Sequence, residues 1–352
     1  MECIKAKEQA MTISRKQQIC LDETPYYHCI SRCVRRAFLC GEDKLTGRSY
    51  EHRRDWIVEK LKQLDGVFSI SICAYAVMHN HTHTILKVDR EAALNWQDDE
   101  VISRWTLLYK PSPIVDRYLN GIKLKKAELD LVAEDIKKWR YRLYDISWFM
   151  RNLNEGIARQ ANEEDGCTGK FWEGRFKSQA LLDDAALLTC MSYVDLNPIR
   201  AKIADSPEAS DFTSIQDRIR HYQKALEQTG NRVVAVTATP EHLEPFVGGE
   251  HQDKASGLNF SLSDYLELTD WAGRAIKDEK FGAIPSELAP ILVRLNIDPE
   301  AWLDSVKCYD KNYNTVIGTR EGIKRFTQAI GRGKKWFCAS GFSLQIYQTS
   351  PV

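Results

Sequence analysis

The chain has 352 residues, of which 43% are hydrophobic and 28% charged, and Lys+Arg and Asp+Glu both number 49. Such figures suit a globular chain long enough for two or three domains. They exclude a wholesale polycation, so a nucleic-acid partner would have to meet basic residues grouped locally. No apolar run approaches the roughly 20 residues of a membrane helix. The first residues carry acidic groups and no apolar core, unlike a signal peptide. The 10 cysteines form no C-x-x-C pair, which reads as reduced thiols in a cytoplasmic protein.

Residues 1–23 read as a polar leader. Thr24-Pro25 introduces a first strand, 26–34, carrying His28 and ending near Arg32, Arg35 and Arg36. A lone strand histidine is more often packed or hydrogen-bonded than ligating. The arginines suit either phosphate contact or a solvated strand edge. Residues 49–66 predict a helix, because Trp56, Ile57, Leu61 and Leu64 recur at helical spacing and Gly66 stops it. Residues 68–77, rich in β-branched and aromatic side chains, predict a second strand. A third, 81–88, folds back over a turn at His79-Asn80. Within Met78-His79-Asn80-His81-Thr82-His83-Thr84-Ile85-Leu86 lie three of the chain's 8 histidines. Strand side chains alternate, so His81 and His83 share one face and Thr82 takes the other. Two neutral imidazoles side by side on a sheet make half of a divalent-metal site. A pair of solvent-facing or hydrogen-bonded histidines is the plainer alternative.

From 89 to 162 the pattern is helical and charged. Residues 95–109 form a short segment with Trp96 and Trp105, broken by Pro111 and Pro113. Residues 123–160 predict one long or kinked helical stretch, its apolar stripe running through Leu124, Leu131, Ile136, Trp139, Leu143, Ile146, Phe149, Leu153 and Ile157. Its lysines and arginines suit a solvated face or a DNA-backbone surface. Phe171-Trp172-Glu173-Gly174-Arg175-Phe176-Lys177-Ser178 leads into a fourth strand, and mixes rings that could stack on bases or simply pack. Asp183-Asp184 caps a helix over 185–196. Tyr193 and Asn197, four apart, share a helix face, and Pro198 ends or bends the helix there. Beyond about 210, residues 215–226 and 262–276 predict amphipathic helices around an irregular 230–257. Short helices near 287–295 and 299–309 and a basic stretch at 320–335 follow.

Met-x-Asn-His-x-His at Met78–His83, Phe-Trp-x-x-Arg-Phe at Phe171–Phe176 and Tyr-x-x-x-Asn-Pro-x-Arg-Ala at Tyr193–Ala201, in this order, resemble the tyrosine HUH transposases, closest to the REP-associated group. The resemblance covers roughly residues 20–215. It implies an α+β fold with a ferredoxin-like (RRM-like) antiparallel sheet and a catalytic domain over 24–212 with a helical insertion at about 95–162. Past about 210 the resemblance fades, and residues 213–352 read on their own pattern as a mostly helical accessory region that could hold DNA or be an ordinary packing appendage. The resemblance implies Tyr193 as nucleophile, His81 and His83 as ligands of Mg²⁺ or Mn²⁺, and Asn197 in the place of a third polar group at the metal. The expected partner is single-stranded or hairpin DNA, with Arg32, Arg175, Lys177 and Arg200 as candidate phosphate contacts. Thr82 stands where the family usually has a bulky apolar residue. His79 replaces its common proline, as a turn residue or an extra ligand. Other readings of the sequence are a non-catalytic DNA-binding protein on the same fold and an RNA-binding RRM-like module, although the aromatic strand motif of the latter is missing.

Overall fold

The computed structural model describes residues 17–34, 39–43, 46–248, 257–277, 292, 295 and 297–331. At its centre is a five-stranded sheet in the order β2-β3-β1-β4-β5. β1 (Tyr26–Arg32) pairs antiparallel with β3 (His81–Val88) and β4 (Lys177–Leu181), and β2 (Ile70–Val77) pairs antiparallel with β3. The two-residue β5 (Val316–Ile317) runs parallel to β4. β3 spans the predicted residues, and Asn80 and His79 form its turn. A bulge between Ile72 and Ala74 shifts the register of β2. The extra residue reverses the alternation, so Tyr75 and Val77 join Ile70 and Ile72 on one face while Ala74 and Ala76 take the other.

Tyr27, Cys29, Leu86 and Ala180 share the first face, covered by α1 (Arg53–Val67) and α6 (Ile146–Glu164). Ile57, Leu61 and Leu64 of α1 meet Phe149, Leu153 and Ile157 of α6 in one apolar cluster, each such side chain contributing about 1.5–3 kcal/mol of transfer free energy. Arg53, fully buried, bonds Glu164 at 2.8 Å and Asp165 at 2.5 Å, tying the start of α1 to the end of α6. The second face carries Ile85, Ala74, Ala76 and Leu181 and lies under α7 (Asp184–Asp195).

The stretch 123–160 is two helices, not one. α5 (Lys126–Arg142) ends before Asp145, whose carboxylate accepts from the Ser147 and Trp148 amides and caps α6. The buried face of α5 is Val132, Ile136 and Trp139, at i, i+4 and i+7; Leu131, expected in the stripe, sits about 100° away and is exposed. α5, with α2 (Arg90–Asn95), α3 (Asp98–Thr106) and α4 (Pro113–Leu119), builds a helical subdomain around stacked Trp105 and Trp139. α6 instead belongs to the sheet's covering layer. Arg140 of the basic stretch is spent inside the protein, bonding the Ala93 and Trp96 carbonyls.

After α7 come α8 (Asn197–Arg200), α9 (Ser214–Thr229), α10 (Arg232–Ala235), α11 (Leu262–Lys277), α12 (Pro299–Lys307), α13 (Tyr309–Asn312) and α14 (Arg320–Ala329). Leu268 of α11 and Trp302 and Leu303 of α12 join the cluster that contains α7. The region past 213 therefore packs on the sheet's second layer through α11 and α12, while Ile323 and Phe326 of α14 join the first-face cluster. Most of the segment 287–295 and residues 332–335 lie outside the described residues. No described helix is long and apolar enough to cross a membrane.

Candidate active site

α7 begins where Asp183 Oδ1 accepts from the Ala186 amide at 2.9 Å. Every residue of this helix after Asp184 is buried, because the sheet lies on one side and the C-terminal helices on the other. Tyr193 falls in its last turn. Leu196 is its C-cap, and Pro198 starts α8 with a geometry that suits a first helical turn. That break sets Asn197 and Arg200 beside the end of β3. His81 and His83 come from β3 itself, on the face that meets α7. Thr82 points to the opposite layer and is buried, as a β-branched strand residue can be.

The side chains singled out in the sequence, His81, His83, Tyr193 and Asn197 with Arg32, Arg175, Lys177 and Arg200, line one cleft of about 680 Å³. The His81 and His83 ring centroids are 4.8 Å apart, and those of His83 and Tyr193 are 5.5 Å apart, nearly perpendicular. The Asn197 amide nitrogen lies 3.4 Å from His83 Nε2. Tyr193 is 5% exposed. Its ring stacks on Tyr309 at 4.3 Å and lies under the Arg200 guanidinium at 4.5 Å. Arg200 in turn bonds the Lys307 carbonyl at 2.9 Å and Asp310 at 3.2 Å, so it braces the tyrosine before it meets any ligand.

Burial sets the protonation states. It pushes His81 down to about 4, aided by Arg32 and the neighbouring histidines, and pushes His83 well below its ordinary range. Both imidazoles are neutral at pH 7. Burial raises Tyr193, opposed by the Arg200 charge, while Asp310 adds to the rise. His81 Nδ1 donates to Asn80 Oδ1 at 2.6 Å, which leaves Nε2 as the lone pair.

Among the described residues no group of three or more His, Cys, Asp or Glu side chains converges as a metal cage. The available donors are two neutral imidazoles and one amide. Imidazole nitrogens suit first-row divalent metals, and oxygen ligands from outside the protein would have to complete the shell that Mg²⁺ or Mn²⁺ prefers. Asn197 offers its nitrogen to His83, so ligation through Oδ1 requires its amide to turn over. His79 is exposed at the turn, its backbone carbonyl accepting from Cys40 at 3.0 Å, and lies outside the cleft.

Glu173 and Asp310 also line the cleft, and the sequence reading passed over both. The cause for Glu173 is local: its amide bonds the Arg32 carbonyl at 2.9 Å, extending the edge of β1 toward β4. Phe171 and Phe176 are buried and Trp172 donates its indole N–H to the Asn154 carbonyl. The rings of this stretch therefore pack, while Arg175 and Lys177 reach the cleft. Tyr309 and Asp310 carry no sequence signal toward the site, since a short polar helix 116 residues beyond Tyr193 (309 − 193) looks like any other.

No family model and no curated protein matches the chain. Among solved structures, the chain is similar to a REP-associated tyrosine transposase bound to a REP hairpin, with 12% identity and a TM-score of 0.32 over 67% of this chain and 92% of that one. A TM-score of that size does not establish a shared fold.

Proposed function

We propose that this chain is a metal-assisted DNA strand transferase of the tyrosine HUH type, built on a ferredoxin-like sheet, with Tyr193 as its single nucleophile. The antiparallel order β2-β3-β1-β4, with α1 between β1 and β2 and, among the five helices between β3 and β4, α6 on the same face of the sheet, supports the ferredoxin-like reading. The observation that carries the function is the meeting of Tyr193 and Asn197 with His81 and His83 in one cleft, from segments over 100 residues apart.

The substrate is single-stranded or hairpin DNA. A phosphodiester and a tyrosinate are both anions, and a free tyrosine with a pKa near 10 is a poor nucleophile at neutral pH. The Arg200 guanidinium over the ring favours the phenolate. Arg32, Arg175 and Lys177 at the cleft rim supply the positive charge that holds a phosphate backbone. A divalent cation bound at His81 and His83 would withdraw charge from the scissile phosphate and orient the leaving oxygen. Tyr193 Oη forms a bond to phosphorus as the bond from phosphorus to the 3′ oxygen breaks. The phenolic proton passes, through solvent, to the departing oxygen, leaving a 5′-phosphotyrosine and a 3′ hydroxyl. Attack by a 3′ hydroxyl reverses the step and joins strands.

The near-complete burial of Tyr193 favours a second reading, a DNA-binding protein of the same plan that does not cleave. Incubation with labelled single-stranded and hairpin DNA and Mn²⁺ separates the two. The first reading expects a denaturation-resistant protein–DNA adduct, lost in Tyr193→Phe and with EDTA. Adduct formation that survives Tyr193→Phe would remove the assignment of the nucleophile. Tight DNA binding with no adduct under any condition would establish the second reading.

A further inference from the structure

Behind the cleft, His83 is the visible end of a buried chain of polar groups. His83 Nδ1 lies 2.9 Å from His28 Nε2. His28 Nδ1 lies 3.1 Å from Gln179 Oε1. The Tyr309 hydroxyl donates to the same Gln179 oxygen at 2.6 Å. His28 is 0% exposed, Gln179 5% and Tyr309 2%, so water cannot substitute for a missing partner. The sheet register explains the alignment: His28 sits opposite Gln179 on β4 and two residues along β1, on the same face, from Ile30, which is paired with His83 on β3.

The direction of the protons follows from what each atom can do. An amide oxygen only accepts. Gln179 Oε1 is held by the Tyr309 O–H, so His28 Nδ1 must carry a proton to bond it. His28 is fully buried, and its hydrogen-bond partners are an amide and an imidazole with no carboxylate among them, so it is a neutral ring. Its Nε2 is therefore a bare acceptor, and the proton in the 2.9 Å contact belongs to His83 Nδ1. His83 Nε2 is then left bare toward the cleft, in agreement with the Asn197 amide nitrogen that approaches it at 3.4 Å.

We infer that Tyr309, Gln179 and His28 are positioning residues that lock His83 in the Nδ1–H tautomer and aim its Nε2 lone pair into the cleft. The other cleft histidine achieves the same end locally, through Asn80. His83 is deeper, and its relay ends on a residue of the C-terminal region. The purpose of the relay rests on the metal-assisted reading above, but its existence can be measured without activity.

The test uses the full chain with ¹⁵N-labelled histidine. Two-bond ¹H–¹⁵N correlation spectra at pH 7.5, with His83 and His28 assigned by substitution, report which ring nitrogen of each carries hydrogen. The relay expects Nδ1–H at both. In Gln179→Leu, His28 loses its acceptor and the His83 signal moves toward the Nε2–H or mixed pattern, while Mn²⁺ affinity read by titration calorimetry falls about 10-fold or more, as for other residues that orient ligands. Tyr309→Phe, which keeps the stacking ring and so the packing, shifts both readouts in the same direction by less. A His83 that carries its proton on Nε2 in the unmodified protein overturns the inference. So does a Gln179→Leu protein, folded by circular dichroism, whose His83 pattern and Mn²⁺ affinity are both unchanged. The expected tautomers in a protein that neither binds Mn²⁺ nor cleaves DNA would uphold the relay and sink the strand-transferase reading instead.

Discussion

Tyr193 is a phenol held between two planes, the Tyr309 ring and the Arg200 guanidinium. Arg200 lowers the phenol's pKa against the rise caused by burial. Removing it in Arg200→Ala should let the pKa climb, so the alkaline limb of the cleavage rate against pH should move to higher pH and the rate at pH 7 should fall. A pH–rate profile of adduct formation measures this; a limb that stays in place would show that Arg200 does not act on the phenol. The buried imidazoles also make stability pH-dependent. His28 and His81 lie near 4 when folded and near 6.5 when unfolded. Between those values the unfolded chain binds more protons, so acidification draws the equilibrium toward it. Asp195, raised to about 6 by burial, acts in the opposite sense and offsets part of the effect. The urea midpoint of metal-free protein should be lower at pH 5 than at pH 7.5.

Elements meet through a few buried polar ties. The Asp195 carboxylate, at the end of α7, accepts from Ser214 Oγ at 2.5 Å and the Ile215 amide at 3.0 Å at the start of α9, and from the Tyr265 hydroxyl of α11 at 2.6 Å. Asp195→Asn removes the charge and leaves one oxygen to accept, so the Tyr265 hydroxyl loses its acceptor there. The expected loss is about 1–3 kcal/mol, visible as a lower thermal midpoint with Tyr193 chemistry retained if the helix still seats. The Asp145 cap is the equivalent tie on the first face, where it separates α5 from α6. Asp145→Ala should cost about 1 kcal/mol by chemical denaturation, and a larger loss would mean that the corner between the two helices depends on it for more than capping.

The described molecule is a sheet with a different layer on each side: α1 and α6, joined by Ile323 and Phe326 of α14, on one, and α7 with α11, α12 and α13 on the other. Leu268, Trp302, Leu303 and Tyr309 cover the outer side of α7, and Tyr309 and Asp310 reach the cleft. A chain ending at residue 230 would expose that apolar face and leave Tyr193 unstacked. It should bind a hydrophobic dye, unfold with less cooperativity and lose Mn²⁺ affinity with the relay. A truncated chain that unfolds as sharply as the full one would show that the C-terminal helices are an appendage.

Local pattern carried much of this to the reader of the sequence. The alternation in 81–88 put His81 and His83 on one face, the Asp183 cap and Pro198 bounded α7, and helical spacing aligned Tyr193 with Asn197; each depends on neighbours a few residues away. The place of the break at Asp145 is not legible in the pattern, because an apolar period near 3.6 continues across a corner almost unchanged and a long helix and a kinked one read alike. The exposed Leu131 was misplaced because a stripe one residue out of phase reads nearly the same. Only the tertiary structure decided which side chains stand behind His83. His28, Gln179 and Tyr309 lie on two strands and a helix, and their common hydrogen bonds follow from sheet register and long-range packing, which distances along the chain do not encode.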